Sequence, residues 1–150
     1  MQPEVKLLKV GPHFYGLVSN FIRSGHASFF CIVNPEAVIS MEQLGIAYEK
    51  STRMFKYSRV KNMEALFLML ISGETQISKA IRVAGLNESL HEAIAVYTSE
   101  NDLENLKAVA REEMQVMEIG KSVFQGKNDD LLFTRMAKVQ LSAMPQPRLQ

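Results

Sequence analysis

Apolar and polar residues are interleaved over Glu4–Val10, where Val5, Leu7 and Val10 stand among lysines before Gly11-Pro12. That pattern predicts a strand. The period then changes: Phe14, Leu17, Val18, Phe21 and Ile22 recur at helical spacing, stopped by Ser24-Gly25. Ala27 to Val33 (ASFFCIV) is a continuous apolar run of strand length. Its aromatic and β-branched content predicts a strand covered on both faces.

Helical spacing dominates the middle of the chain. Asn34-Pro35 reads as an N-cap followed by proline at the first helical position. Ser40 and Gln43 have the spacing of a capping box, ahead of Met41, Leu44, Tyr48 and Phe55 on one stripe. Asn62 can cap the next helix, whose apolar run Ala65 to Ile71 (ALFLMLI) ends near Gly73. Thr75 can cap another helix carrying Ile77, Ala80, Ile81 and Ala84, closed by Gly85.

Ala93 to Ser99 (AIAVYTS) predicts a third strand, and Gln115 to Ile119 (QVMEI) a weaker fourth. Between them Ser99, with Asp102 three residues on, caps a helix holding Leu103, Leu106, Val109 and Ala110. A last helix is expected from about Asn128, where Asp129 and Asp130 suit the positive end of its dipole. Pro145 and Pro147 end the order, leaving 145–150 as a flexible tail. With no internal repeat and no linker, residues 1–150 are expected to form a single α/β domain of the mixed α+β kind. Its small sheet of three to four strands is packed by several helices.

Composition adds exclusions. In 150 residues, 47% are hydrophobic, enough for a proper core. The longest apolar run is too short to span a bilayer, so no membrane partner is expected. Pro3 and Glu4 stand where a signal peptide needs apolar residues, and one cysteine makes no internal disulfide. A cytoplasmic location is the expectation.

The net charge of +1 conceals an asymmetry. Lys50, Arg53, Lys56, Arg59 and Lys61 follow one another with no acid among them, so the remainder of the chain is net negative. Such a segment suits an anionic partner or a solvated helix face. Tyr48, Phe55 and Tyr57 lie among these charges; Tyr48 and Phe55 fit the core stripe, leaving Tyr57 to stack on an unpaired base.

Catalytic signatures are missing. His13, His26 and His91 lie in separate elements with no ligand spacing, so neither a metal nor a cofactor is expected. Cys31 sits within an apolar strand and reads as a core residue. Gly120-Lys121-Ser122 imitates the end of a P-loop, but Gln115 stands where its first glycine belongs. Gly11 and Gly16 make no dinucleotide fingerprint. An enzyme is not supported.

The segment Ile71 to Gly85 (ISGETQISKAIRVAG) sets two helices around a tight break. A DNA-reading helix-turn-helix would expose Gln76, Ser78, Lys79 and Arg82 to the major groove. Such motifs usually belong to all-helical bundles, and an amphipathic packing pair is the competing reading.

The stretch from Met63 (MEALFLMLISGETQISKAIRVAGL) also resembles the PRPK-binding, TPRKB-like small regulatory subunit of the KEOPS complex. The shared pattern falls on Glu64, Ser72, Gly73, Gln76, Ile77, Ala80, Ile81 and Gly85. The likeness extends from about Ala27 through the segments NPEAVISMEQLGIAYEKS and AIAVYTSENDLENLKAV to the C-terminal helix.

The resemblance implies a non-catalytic subunit. It would bind the KEOPS kinase subunit and recruit tRNA by its 3′ CCA end for threonylcarbamoyladenosine modification. Other KEOPS subunits would be met only indirectly. Phosphate contacts are then expected from Lys50, Arg53, Lys56, Arg59 and Lys61, extended by Lys79 and Arg82. The kinase is expected on the apolar C-terminal helix at Leu132, Met136 and Val139, where Leu131, Phe133 and Leu141 widen the stripe. The alternative remains a helix-turn-helix DNA-binding protein.

Overall fold

A computed structural model describes residues 2–124, 126–127 and 130–144. Four strands, β1 (Glu4–Val10), β2 (Phe30–Val33), β3 (Glu92–Tyr97) and β4 (Met114–Met117), form one sheet in the order β2-β3-β1-β4. Every pairing is antiparallel, with Leu7 opposite Ile94 and Met117, and Cys31 opposite Val96. Six helices join it: α1 (Phe14–Arg23), α2 (Met41–Met54), α3 (Met63–Ser72), α4 (Ile77–Ala84), α5 (Glu100–Ala110) and α6 (Leu132–Ala143). The fold is α+β in one domain.

Strand alternation divides the core into two layers. Leu8, Phe30, Ile32, Ala95 and Tyr97 face α1 and α5, where Phe14, Val18, Leu103 and Leu106 cover them. Leu7, Cys31, Val33, Ile94 and Val96 point the other way, onto the helices α2, α3, α4 and α6. Every residue of β2 is buried, as its unbroken apolar run predicts. The strand is shorter than that run: Ala27 to Phe29 lie outside it, and Phe29 packs edge-on against Tyr48 and Phe67.

Helix α3 is the central pillar. Ala65 through Ile71 are all buried, which explains why this run shows no polar face. Asn62 caps it by accepting from the Ala65 N–H at 2.9 Å. Ser40 caps α2 in the same way, accepting from Gln43 N–H. The reciprocal half of the capping box is replaced: buried Gln43 accepts from Ile39 N–H and donates to the Ala37 and Ile71 carbonyls. That side chain ties three segments together.

Three sequence expectations are corrected at helix starts. Asn34 does cap a proline-led turn, but it is only a 3-10 turn over Pro35–Ala37. Gln76, not Thr75, stands at the cap of α4, with no side-chain cap bond. Ser99 caps α5 through its backbone carbonyl, with no side-chain cap bond, and the Asp102 carboxylate lies toward His26. For α6, Asn128, Asp129 and the tail 145–150 lie outside the described residues, while Asp130 precedes the helix start at Leu132.

Gly73 ends α3 with φ +74, and a Cβ there would lie 3.0 Å from Arg135 Cβ on α6. Both facts demand glycine. Gly73→Ala is expected to lower stability by about 2 kcal/mol, read as a lower urea midpoint at unchanged m-value.

Candidate functional site

The basic segment is only half helical. Lys50 and Arg53 belong to α2, Arg53 in its last turn, whereas Lys56, Arg59 and Lys61 lie on the irregular connection to α3. Progressive rotation about one helix, which the spacing implies, therefore applies only up to Met54. The connection is anchored at several points. Buried Ser58 accepts from Val60 N–H, Lys61 Nζ donates to the Ser58 carbonyl, and Arg59 N–H donates to the Ala143 carbonyl. Val60 is buried, so the charged side chains between these anchors stand outward.

These cations differ in availability. Arg53 pairs with Glu49 one turn back at 3.2 Å, and Lys79 with Glu74 at 3.5 Å. Lys50, Lys56, Arg59 and Arg82 meet no carboxylate among the described residues. Tyr57, 63% exposed, stands beside Lys56, while Tyr48 and Phe55 are half-buried. Tyr57 is thus the aromatic placed for stacking.

Helix α4 folds back along α3. Asn62 and Ile81 border the same groove, which puts Lys61 and Arg82 at one end of the helix pair. Its inward stripe is Ala80 and Ala84, not the larger residues: Ile77, Ile81 and Val83 are all exposed. Small residues let α4 lie close to the core, and the isoleucines are left outside together with Lys79 and Arg82. The sequence stripe grouped all four apolar residues and could not separate them.

On α6 the expected kinase residues Leu132, Met136 and Val139 are 8%, 0% and 0% exposed. They pack into the α3 layer and are core residues in this structure. The outer face instead carries Phe133, Ala137 and Leu141 at four-residue spacing, with Phe133 59% and Leu141 74% exposed. Among the described residues, no element covers Phe133 and Leu141.

Nucleophilic and metal chemistry find little here. Burial, followed by the nearby Glu64 charge, pushes the Cys31 thiol well above its usual range. A thiol held in that state is a poor nucleophile, so native protein should resist thiol reagents until it unfolds; fast labelling of the folded chain would contradict this. Among the described residues, no three His, Cys, Asp or Glu side chains form a metal-binding group. His26 Nδ1 lies 3.6 Å from the half-buried Asp102 carboxylate, and its Nε2 lies 3.0 Å from the Phe21 carbonyl.

A family profile described as kinase binding protein CGI-121 matches residues 17–140, from within α1 to the last turns of α6. The chain belongs to the CGI-121 family. A search of the curated proteins finds no match to it. The CGI-121 match includes both helices of the α3–α4 pair, the basic connection and nearly all of α6. The family is one of kinase-binding proteins.

The helix-turn-helix reading fares worse in this CGI-121 fold. Gln76, Ser78, Lys79 and Arg82 are exposed, but the preceding helix is sunk in the core beside a sheet. Ile77, Ile81 and Val83 share the α4 surface with them. Among the described residues, no helix is long and apolar enough to cross a membrane.

Proposed function

We propose that this protein is a non-catalytic subunit of the KEOPS complex, binding its kinase subunit and recruiting tRNA for threonylcarbamoyladenosine modification. The exposed Phe133–Leu141 stripe, on a chain of a kinase-binding family, carries the reading. Exposed apolar residues on one helix face suit a partner, and among the described residues Phe133 and Leu141 of α6 are more exposed than Ile77, Ile81 and Val83 of α4.

The tRNA part rests on the anchored basic connection. Among the described residues, Lys50, Lys56, Arg59 and Arg82 pair with no carboxylate, and Tyr57 adds an aromatic face. Lys61 joins them from the connection, while Arg53 and Lys79 must first leave their acidic partners. The chain contributes contacts, and a different subunit performs the transfer.

Co-purification from the native host tests the reading. A protein kinase and tRNA are expected with the wild-type chain, the kinase being lost when Phe133 and Leu141 are replaced. Recovery of neither would overturn the assignment.

A further inference from the structure

Strand β2 is an edge strand, so its outward N–H groups must find partners away from β3. Two of them do. Phe30 N–H donates to Glu64 Oε1 at 3.3 Å, and Asn34 N–H donates to the Ala84 carbonyl at 2.7 Å. Alternation along an antiparallel strand turns the Ile32 N–H, midway between them, to the same side. Nothing among the described residues accepts from it, although Ile32 is only 3% exposed. The Ile32 carbonyl is approached by the Cys31 thiol alone, at 4.0 Å.

This edge floors a groove of about 400 Å³ between α1 and the α3–α4 pair, walled by Ile22, Leu68, Ile81 and Leu86. A backbone N–H on a sheet edge that faces a groove is open to an acceptor entering that groove.

We propose that the groove receives an extended peptide segment, which adds to β2 along Phe30 to Ile32 and places a basic side chain beside Glu64. A peptide backbone supplies, from one residue, both the acceptor for Ile32 N–H and the donor for its carbonyl. Apolar walls suit the alternate side chains of such a strand. Glu64 already occupies the position of a partner carbonyl at Phe30. When a strand takes that place, the carboxylate loses its bond and requires a cation. Among the described residues Glu64 is the one carboxylate lining the groove, and it stands at Phe30, so the basic side chain belongs at that end; Arg23, also in the lining, stands on the α1 wall. The Asn34–Ala84 bond closes the far end and sets the register.

An alternating valine–lysine peptide added to the isolated chain tests this, with amide exchange at Phe30 and Ile32 as the readout. Exchange at Ile32 should slow. The same peptide, N-methylated along the edge facing β2, should bind about tenfold more weakly or worse. Glu64→Gln should weaken the parent peptide similarly. Ile32→Pro removes an outward N–H that an edge strand can lose and carries no amide proton itself, so its readout is Phe30, where the peptide should no longer change the exchange rate. Equal binding of the N-methylated peptide would overturn the proposal, as would no protection at on the order of 1 mM peptide. Protection by a single-stranded oligonucleotide in place of the peptide would also overturn it.

Discussion

Glutamate at both Phe133 and Leu141 should abolish kinase binding while leaving the monomer folded. Both side chains are more than half exposed, so a charge at either position remains in water in the free chain. In a complex that covers this face, the same charges would be desolvated without a partner. Losing an aromatic anchor at such a centre typically costs more than about 2 kcal/mol, so affinity should fall at least about thirtyfold. Met136→Glu makes the contrasting control. Met136 is fully buried, and an unpaired charge there should cost on the order of 4 kcal/mol and unfold much of the protein. Titration calorimetry with the host kinase, beside thermal unfolding of each variant, separates the two effects. Unchanged affinity in a folded Phe133/Leu141 variant would move the interface off α6, with the exposed Ile77, Ile81 and Val83 of α4 next to be tried.

Charge reversal at Arg53, Lys56 and Arg59 should sharply weaken tRNA binding. Lys56 and Arg59 should dominate, since Arg53 already gives its charge to Glu49. Each lost phosphate contact lowers the log–log salt slope by about 0.7 to 0.9, so loss of two should flatten it by roughly 1.4 to 1.8. Affinity at low salt should fall more than at high salt. Kinase binding has to be measured on the same variant, because Arg59 N–H bonds to the Ala143 carbonyl at the end of α6. Segments far apart in sequence are neighbours here. The prediction is that kinase affinity changes far less than tRNA affinity. A folded triple variant with unaltered tRNA affinity and salt slope would reduce this segment to a solvated face.

Much of the fold is legible in local pattern. The β1 and α1 boundaries follow from period, and the caps at Ser40 and Asn62 from single residues acting on an N–H three positions later. The unbroken run Ala65 to Ile71 announces a helix without a solvent face, and α3 is one. Glycine at 73 marks a stop that only a left-handed backbone could make. These features depend on chemistry within a few residues.

The candidate surfaces were legible only as composition. Leu132, Met136 and Val139 cannot be told from Phe133 and Leu141 by hydrophobicity, since all five are apolar residues of one helix. Which of them face inward depends on where α3 lies against α6, a contact between segments distant in the chain. Likewise Ile77 and Ile81 were grouped with Ala80 and Ala84, although close approach to the core selected the alanines.

The sequence by itself determined the element types, the single α+β domain, the cluster of positive charge and the family. Each is written in residue spacing or in residue identity, which no neighbour has to supply. Tertiary structure alone decided the strand order, the uncovered half of α6 and the meeting of Arg59 with Ala143. It also left the Ile32 N–H at an unfilled edge, because strand neighbours and helix faces are selected by packing across the whole chain.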